Sequence, residues 1–257
     1  MSETFFTPDG NRWVPTENTR GPWSNAHQHG GPPAALLGRA LEQFPSDVPV
    51  AVARVTFDLV RPVPIRPLRI ELSAVRTSKR VQLIKAVLFD DATELVTAQA
   101  LRIRRDSVAP ENTVADETTD PDRLPETPFP FFLADKGYHT AMELKIERGG
   151  FGRGFAKAWM RPRLPLVPGE TWTPLQRALV CADSGNGVSA ALDKNRFTFV
   201  NPDLTGSLYR EPAGTWICLD AVTRLGPDGR GLAVTDLRDG RGSFGTGTQS
   251  LLIDRLP

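Results

Sequence analysis

The chain has 257 residues, 40% hydrophobic and 24% charged, with 31 Lys and Arg against 30 Asp and Glu for a net charge of +1. This is the composition of a globular protein that buries a core, and it leaves no global field to recruit nucleic acid or an anionic membrane surface. Two cysteines, Cys181 and Cys218, are too few for a disulfide framework and fit a reduced, cytoplasmic protein. The opening MSETFFTPDG lacks the basic and apolar regions of a secretory signal, and no apolar run approaches the roughly 20 residues that span a bilayer.

In chain order, the first strong element is PPAALLGRALEQF. Pro32 and Pro33 suit the opening turn of a helix, where the missing N–H is not needed. Leu36, Leu37, Ala40, Leu41 and Phe44 then recur at helical spacing, and Pro45 ends the run. Four strand-like runs follow: VAVARVTFDLV, LRIELSAVRT, VQLIKAVLF and ELVTAQALRIRR. Turn signals at Pro62–Pro67, Ser78–Lys79 and Asp90–Asp91 separate them, and the β-branched content favours an antiparallel sheet. Between Arg105 and Pro128 the chain becomes acidic and rich in Pro and Thr, the composition of a linker. The expected organisation is therefore 1–105, a linker over 106–130, and 131–257.

The second part repeats the plan. MELKIERGGFGRGFAKAWMR reads as two strands around a Gly-rich turn. TPLQRALVCADSGNGVSAALD is a helix with Thr173 as its cap and Pro174 at its first position. RFTFV, TGSLYR, TWICLDAVTRL, GLAVTDLRD and TQSLLIDR then read as strands. Laying FDLVRPVPIRPLRIEL on GSLYREPAGTWICLD places Arg61 on Arg210, an offset of 149. Laying TAQALRIRR on GTQSLLIDR places Gln99 on Gln249, an offset of 150. Two matched anchors and a shared order of helix then strands predict an internal duplication. Each unit would be one helix lying across a curved antiparallel sheet.

Several chemistries find no support. There is no G-x-S-x-G nucleophile elbow, and Cys181 stands in an apolar helical run where a free cysteine serves as a small core hydrophobe. His27 and His29 form an H-x-H pair without a Cys, Asp or Glu nearby to complete a metal site. GGFGRG looks like a hairpin turn, not the strand-to-helix junction of a phosphate-binding loop. What remains are polar residues at element ends. Asp183, Ser184 and Asn186 interrupt an apolar helix beside two glycines, Gln249 sits in the last strand, and Asn201 precedes Pro202 in a turn. An ordinary helix break explains CADSGNG as well as a carboxylate held in a cleft does.

The two-unit plan, together with HQHGGPPAALLGRAL, LVRPVP, ADSGNG, FTFVNPDLTGSLYREPAGTWICLD and GTQSLL, resembles the thioesterase-like superfamily of double-hotdog proteins that includes the type II acyl-CoA thioesterases. The resemblance covers nearly the whole chain and implies an α+β double hotdog that hydrolyses an acyl-CoA or related acyl thioester. It implies no cofactor, coenzyme A being part of the substrate, and no metal. In that family an Asp, a Thr and a Gln bind the attacking water. Matched by position, they fall on Asp183, Asn201 and Gln249, with Asn201 a departure from Thr. Asp183 would act as general base, and Asn201 and Gln249 would orient the water. Gly30 and Gly31, at the start of the first helix, would let backbone N–H groups meet the oxyanion, with His29 as a further donor. Arg61 and Arg210, at equivalent positions in the two units, would either anchor coenzyme phosphates or serve a structural role at their strand ends. The alternative is a non-catalytic acyl-thioester-binding or scaffold protein that keeps the groove, and further association into a homo-oligomer is compatible with either.

Overall fold

The computed structural model describes residues 3–106 and 119–256. Strands β1 (Phe6–Asp9) and β2 (Arg12–Pro15) open the chain and precede helix α1 (Gly31–Gln43). The four runs that follow are strands β3 (Val50–Leu59), β4 (Leu68–Arg76), β5 (Val81–Asp90) and β6 (Thr93–Arg104). After the short helix α2 (Tyr138–Ala141), β7 (Met142–Gly149) and β8 (Phe155–Pro162) form a hairpin. Helix α3 (Pro174–Ala182) continues into a further turn, α4 (Gly185–Val188). The chain ends in β9 (Phe197–Val200), β10 (Asp203–Leu208), β11 (Ile217–Leu225), β12 (Arg230–Asp239) and β13 (Gly242–Arg255). Among the described residues all strands join one antiparallel sheet in the order β1-β2-β4-β5-β6-β3-β10-β13-β12-β11-β8-β7, with β9 added on β13. The sheet wraps two antiparallel central helices, the double hotdog expected from the sequence.

The duplication is written into the register. The two units meet where β3 pairs with β10, and there Thr56 faces Thr205, Phe57 faces Leu204 and Val55 faces Gly206. Adding 149 to one member of each pair gives a residue of the same set, so the junction is symmetric about Thr56 and Thr205. The same offset carries Ala86 opposite Ala98 onto Thr235 opposite Gly247, and Glu71 opposite Val87 onto Asp220 opposite Asp236. It also carries Thr56 opposite Gln99 onto Thr205 opposite Thr248. The expected match of Gln99 with Gln249 is therefore one residue out. In a strand that slip changes face, and Gln249 corresponds to the buried Ala100.

The helices bury their apolar stripes between the sheet and each other. Glycine makes the close crossing of α1 and α3 possible: a Cβ on Gly38 would lie 2.5 Å from Leu179 Cδ1, and one on Gly31 would collide with the Val180 carbonyl oxygen. The expected hairpin turn in GGFGRG is present, with Gly149, Gly150, Gly152 and Gly154 all at positive φ, a conformation that side chains disfavour. The expected linker lies partly outside the described residues, but its second half is packed rather than free. Lys145 Nζ donates to the Pro121 carbonyl at 3.0 Å, Trp216 Nε1 to Asp122 at 3.3 Å, and Thr127 N–H to the Leu144 carbonyl at 2.7 Å. These bonds strap the segment across β7 and deliver the phenylalanines beyond it to the inner face.

Candidate active site

At the N-terminus of α1 a cavity of about 500 Å³ opens between the two units. Its walls are mostly apolar. Phe129, Phe131 and Phe132 come from the strap, Phe151 from the β7–β8 turn and Phe199 from β9. Edge-to-face contacts join them: Phe131 lies 5.0 Å from Phe151 and 6.1 Å from Phe199, which in turn meets Trp23 at 5.3 Å.

Polar groups converge at one place on this wall. Asp183 caps the C-terminus of α3 and is 5% exposed. Its Oδ1 accepts a hydrogen bond from Asn201 Nδ2 at 2.9 Å, and its Oδ2 lies 3.0 Å from His29 Nδ1. The Gly31 N–H also lies 3.0 Å from Nδ1. One nitrogen cannot both accept from Gly31 and donate to the carboxylate. An ionised Asp183 facing a bare Nδ1 would set two lone pairs against each other, so the proton sits on Nδ1 and Gly31 donates to Asp183 instead. Burial alone would push the Asp183 carboxyl up. His29, Asn201 and the Gly31 N–H outweigh burial and hold it below the usual carboxylate range, so it is ionised at neutral pH.

The glycines serve close approach. A Cβ on Gly30 would lie 2.8 Å and 2.9 Å from the two Asp183 oxygens. Gly30 caps α1 without a side-chain hydrogen bond, and because Pro32 and Pro33 carry no N–H, Gly30 and Gly31 are the backbone donors at this helix start. Gly185 lets the α3–α4 junction settle on β12 and β13, since a Cβ there would lie 2.5 Å from Thr235 Oγ1 and 3.0 Å from Gln249 Oε1.

The structure brings together His29, Gly30, Gly31, Asp183 and Asn201. Gln249 lies behind them, 1% exposed and with its amide engaged: Oε1 accepts from the Asn186 N–H at 3.0 Å and Nε2 donates to the Asp183 carbonyl at 3.1 Å. It pins the helix break that carries Asp183. Arg61 is exposed on the cavity lining, with Nη1 on the Glu94 carbonyl. Arg210 corrects the expectation placed on it: it is not among the residues lining this cavity. Its guanidinium is spent on the buried Asp239, at 2.6 and 2.9 Å, and on the Gly242 and Ser243 carbonyls, because the repeat carries it to the other end of the helix pair. Cys181 is fully buried in the core, where burial pushes its thiol up. Sequence reasoning missed Tyr138, whose ring stacks on His29 at 3.9 Å and 5° and whose hydroxyl donates to the Val180 carbonyl at 2.7 Å. It also missed the aromatic wall, although FPFF after the acidic stretch was a visible signal.

One sheet closed around a pair of antiparallel helices, with polar groups gathered where the units meet, defines the class as a double-hotdog protein. Family models place it more closely: the acyl-CoA thioesterase N-terminal domain matches residues 19–103, and the acyl-CoA thioesterase C-terminal domain matches 116–253. The chain belongs to the acyl-CoA thioesterase family. Among solved structures it is similar to a hot dog fold protein of unknown function from Alicyclobacillus acidocaldarius, at 17% identity and a TM-score of 0.72 over 98% of this chain and 96% of that one. It is also similar to the tesB protein of Mycobacterium avium subspecies paratuberculosis, at 14% identity and a TM-score of 0.69 over 98% and 96%. Acyl-CoA thioesterase II TesB2 from Mycobacterium marinum matches at 13% identity and 0.66 over 96% and 94%. No curated protein matches the sequence.

Proposed function

We propose that this protein hydrolyses an acyl-CoA thioester by direct attack of water, without a covalent enzyme intermediate. The observation that carries the reading is the ionised Asp183 carboxylate, buried with His29 and Asn201 at the wall of an apolar cavity and beside the start of α1. The acyl group would occupy the aromatic cavity, where burial of apolar surface supplies binding. The thioester carbonyl would face Gly30, whose N–H stands at the positive end of α1 and makes no hydrogen bond among the described residues. Arg61, exposed on the cavity lining, is suited to the phosphates of coenzyme A. Gln249 and Asn201 act by fixing Asp183. The reduced, buried cysteines Cys181 and Cys218 support a cytoplasmic setting.

The test is thiol release from a panel of acyl-CoAs of graded chain length, measured with the wild type and with Asp183→Asn. The wild type should turn over at least one member, and the variant should lose about 100- to 10,000-fold in kcat/KM while keeping its fold. Melting shifts with acyl-CoA but no thiol release would establish the acyl-binding alternative instead.

A further inference from the structure

Building on the reading of this cavity as a thioester hydrolase, we propose that His29 takes the proton from the attacking water and that Asp183 is the positioning residue behind it. Three observations lead there. Each carboxylate oxygen of Asp183 already has a partner, Asn201 on Oδ1 and His29 on Oδ2, and the residue, although on the cavity wall, is only 5% exposed. The contact through Nδ1 fixes the tautomer: in the neutral ring Nδ1 carries the proton and Nε2 keeps a free lone pair. The polar contacts of the ring among the described residues all run through Nδ1, and His29 lines the cavity. Finally, the ring is held in plane. Tyr138 stacks flat against it at 3.9 Å and is itself tied to the Val180 carbonyl and to Ser184 Oγ, at 2.7 and 2.9 Å. A base that is oriented by a third group and presents its other nitrogen to the substrate is the arrangement general-base catalysis needs.

The step balances. Nε2 accepts one proton of the water as its oxygen bonds to the thioester carbon, and the carbonyl oxygen becomes an oxyanion. Collapse of the tetrahedral intermediate re-forms the carbonyl, breaks the carbon–sulfur bond and expels the coenzyme thiolate. The imidazolium returns its proton to that sulfur. The second proton of the water leaves to solvent with ionisation of the carboxylic acid product. Asp183 stays ionised throughout, and its charge favours the imidazolium formed beside it.

The experiment combines thiol-release kinetics against pH with nitrogen NMR of the His29 ring. The titratable and charged groups around that ring are Asp183 and Tyr138 against it, with His27 and Arg61 on the same cavity lining. His29→Ala should lower kcat by about 100- to 10,000-fold with KM little changed, and added imidazole should restore part of the rate as it becomes unprotonated. Imidazole should give no such recovery to Asp183→Asn. In its neutral form the wild-type ring should show the Nδ1–H tautomer, a measurement independent of turnover and of any variant's folding. An Nε2–H tautomer, or a His29→Ala rate within about threefold of the wild type, would overturn the proposal while leaving the thioesterase reading intact. A wild type that releases no thiol from any acyl-CoA would sink both, since this step needs that reaction.

Discussion

The two ends of the α1–α3 pair are related by the internal repeat, yet they have diverged in every feature that matters for chemistry. At the active end Asp183 of the α3 C-terminus meets the start of α1. At the opposite end Glu42, in the last turn of α1, meets the start of α3: its Oε2 accepts from Thr173 Oγ1 at 2.7 Å and from Gln176 Nε2 at 3.4 Å. The opposite cavity is about 160 Å³. The offset of 149 relates their walls: Val50, Ala51 and Val52 line the small cavity where Phe199, Val200 and Asn201 line the large one, and Leu208, Glu211 and Pro212 correspond to Leu59, Pro62 and Val63. Arg102, 2% exposed, fills space there and donates to the Leu41 and Phe44 carbonyls at 3.4 and 2.8 Å. The difference teaches what specialises a hotdog site. One helix start is stripped to glycine so that a carboxylate and a histidine can close on it. The other is sealed by its own capping box, Thr173 with Gln176, and faces valine where the active end has Asn201.

Breaking the active end should have the largest effect. In Gly30→Ala the new methyl would lie under 3 Å from both Asp183 oxygens, so the carboxylate would have to leave the place where Asn201 and His29 hold it. The expected result is a loss of about 100-fold in kcat/KM for acyl-CoA hydrolysis, the order of effect of a misplaced catalytic group. Activity close to that of the wild type would mean that the close approach of α1 to Asp183 is not needed.

The second contrast is electrostatic, and its sign differs between the ends. Burial would raise both carboxyls. At Asp183, His29, Asn201 and the Gly31 N–H win and lower it, whereas at Glu42 burial prevails over the bonds from Thr173 and Gln176 and the carboxyl is raised. A lowered carboxyl gives stability that is present above its unfolded pKa and lost as pH falls through the folded value. A raised one gives stability that is present below its unfolded pKa and lost as pH rises through the folded value. Melting temperature against pH should therefore show the stabilising advantage of wild type over Asp183→Asn shrinking on acidification. For Glu42→Gln the comparison should run the other way, with the variant gaining on the wild type as pH rises through the folded value. Parallel curves for the two variants would refute the contrast.

How much of this was legible depended on periodicity. The stripes of α1 and α3 and the alternation in the strands carry their own period, and the shared order of elements carried the duplication. The one-residue error at Gln99 arose because two glutamines in similar strands look alike, while only hydrogen-bond register reveals which face each occupies. Asp183 and Asn201 could be marked as polar breaks in apolar runs. Their junction with His29 could not, because it is made by antiparallel packing of helices more than 140 residues apart in the chain. Tyr138 lies in a four-residue helix too short to leave a pattern, and the phenylalanines of the strap lie outside any periodic element. Arg210 was misplaced for the opposite reason. Its equivalence to Arg61 was real, but equivalence by symmetry put it at the end that has no large cavity.

The smallest effect tests the sealed end. Thr173 closes the start of α3 through its hydroxyl, which accepts from the Gln176 N–H at 3.2 Å and donates to Glu42. Thr173→Ala removes the cap and leaves a buried carboxyl with one partner fewer, so stability should fall by about 1 kcal/mol. Because no reacting group lies there, kcat and KM for acyl-CoA should be unchanged at temperatures well below melting. Denaturant unfolding and thiol release on the same preparation separate the two quantities. A variant that kept its stability but lost activity would show that the sealed end communicates with the catalytic one. The divergence of the two ends would then be a division of labour, with both ends still serving the reaction.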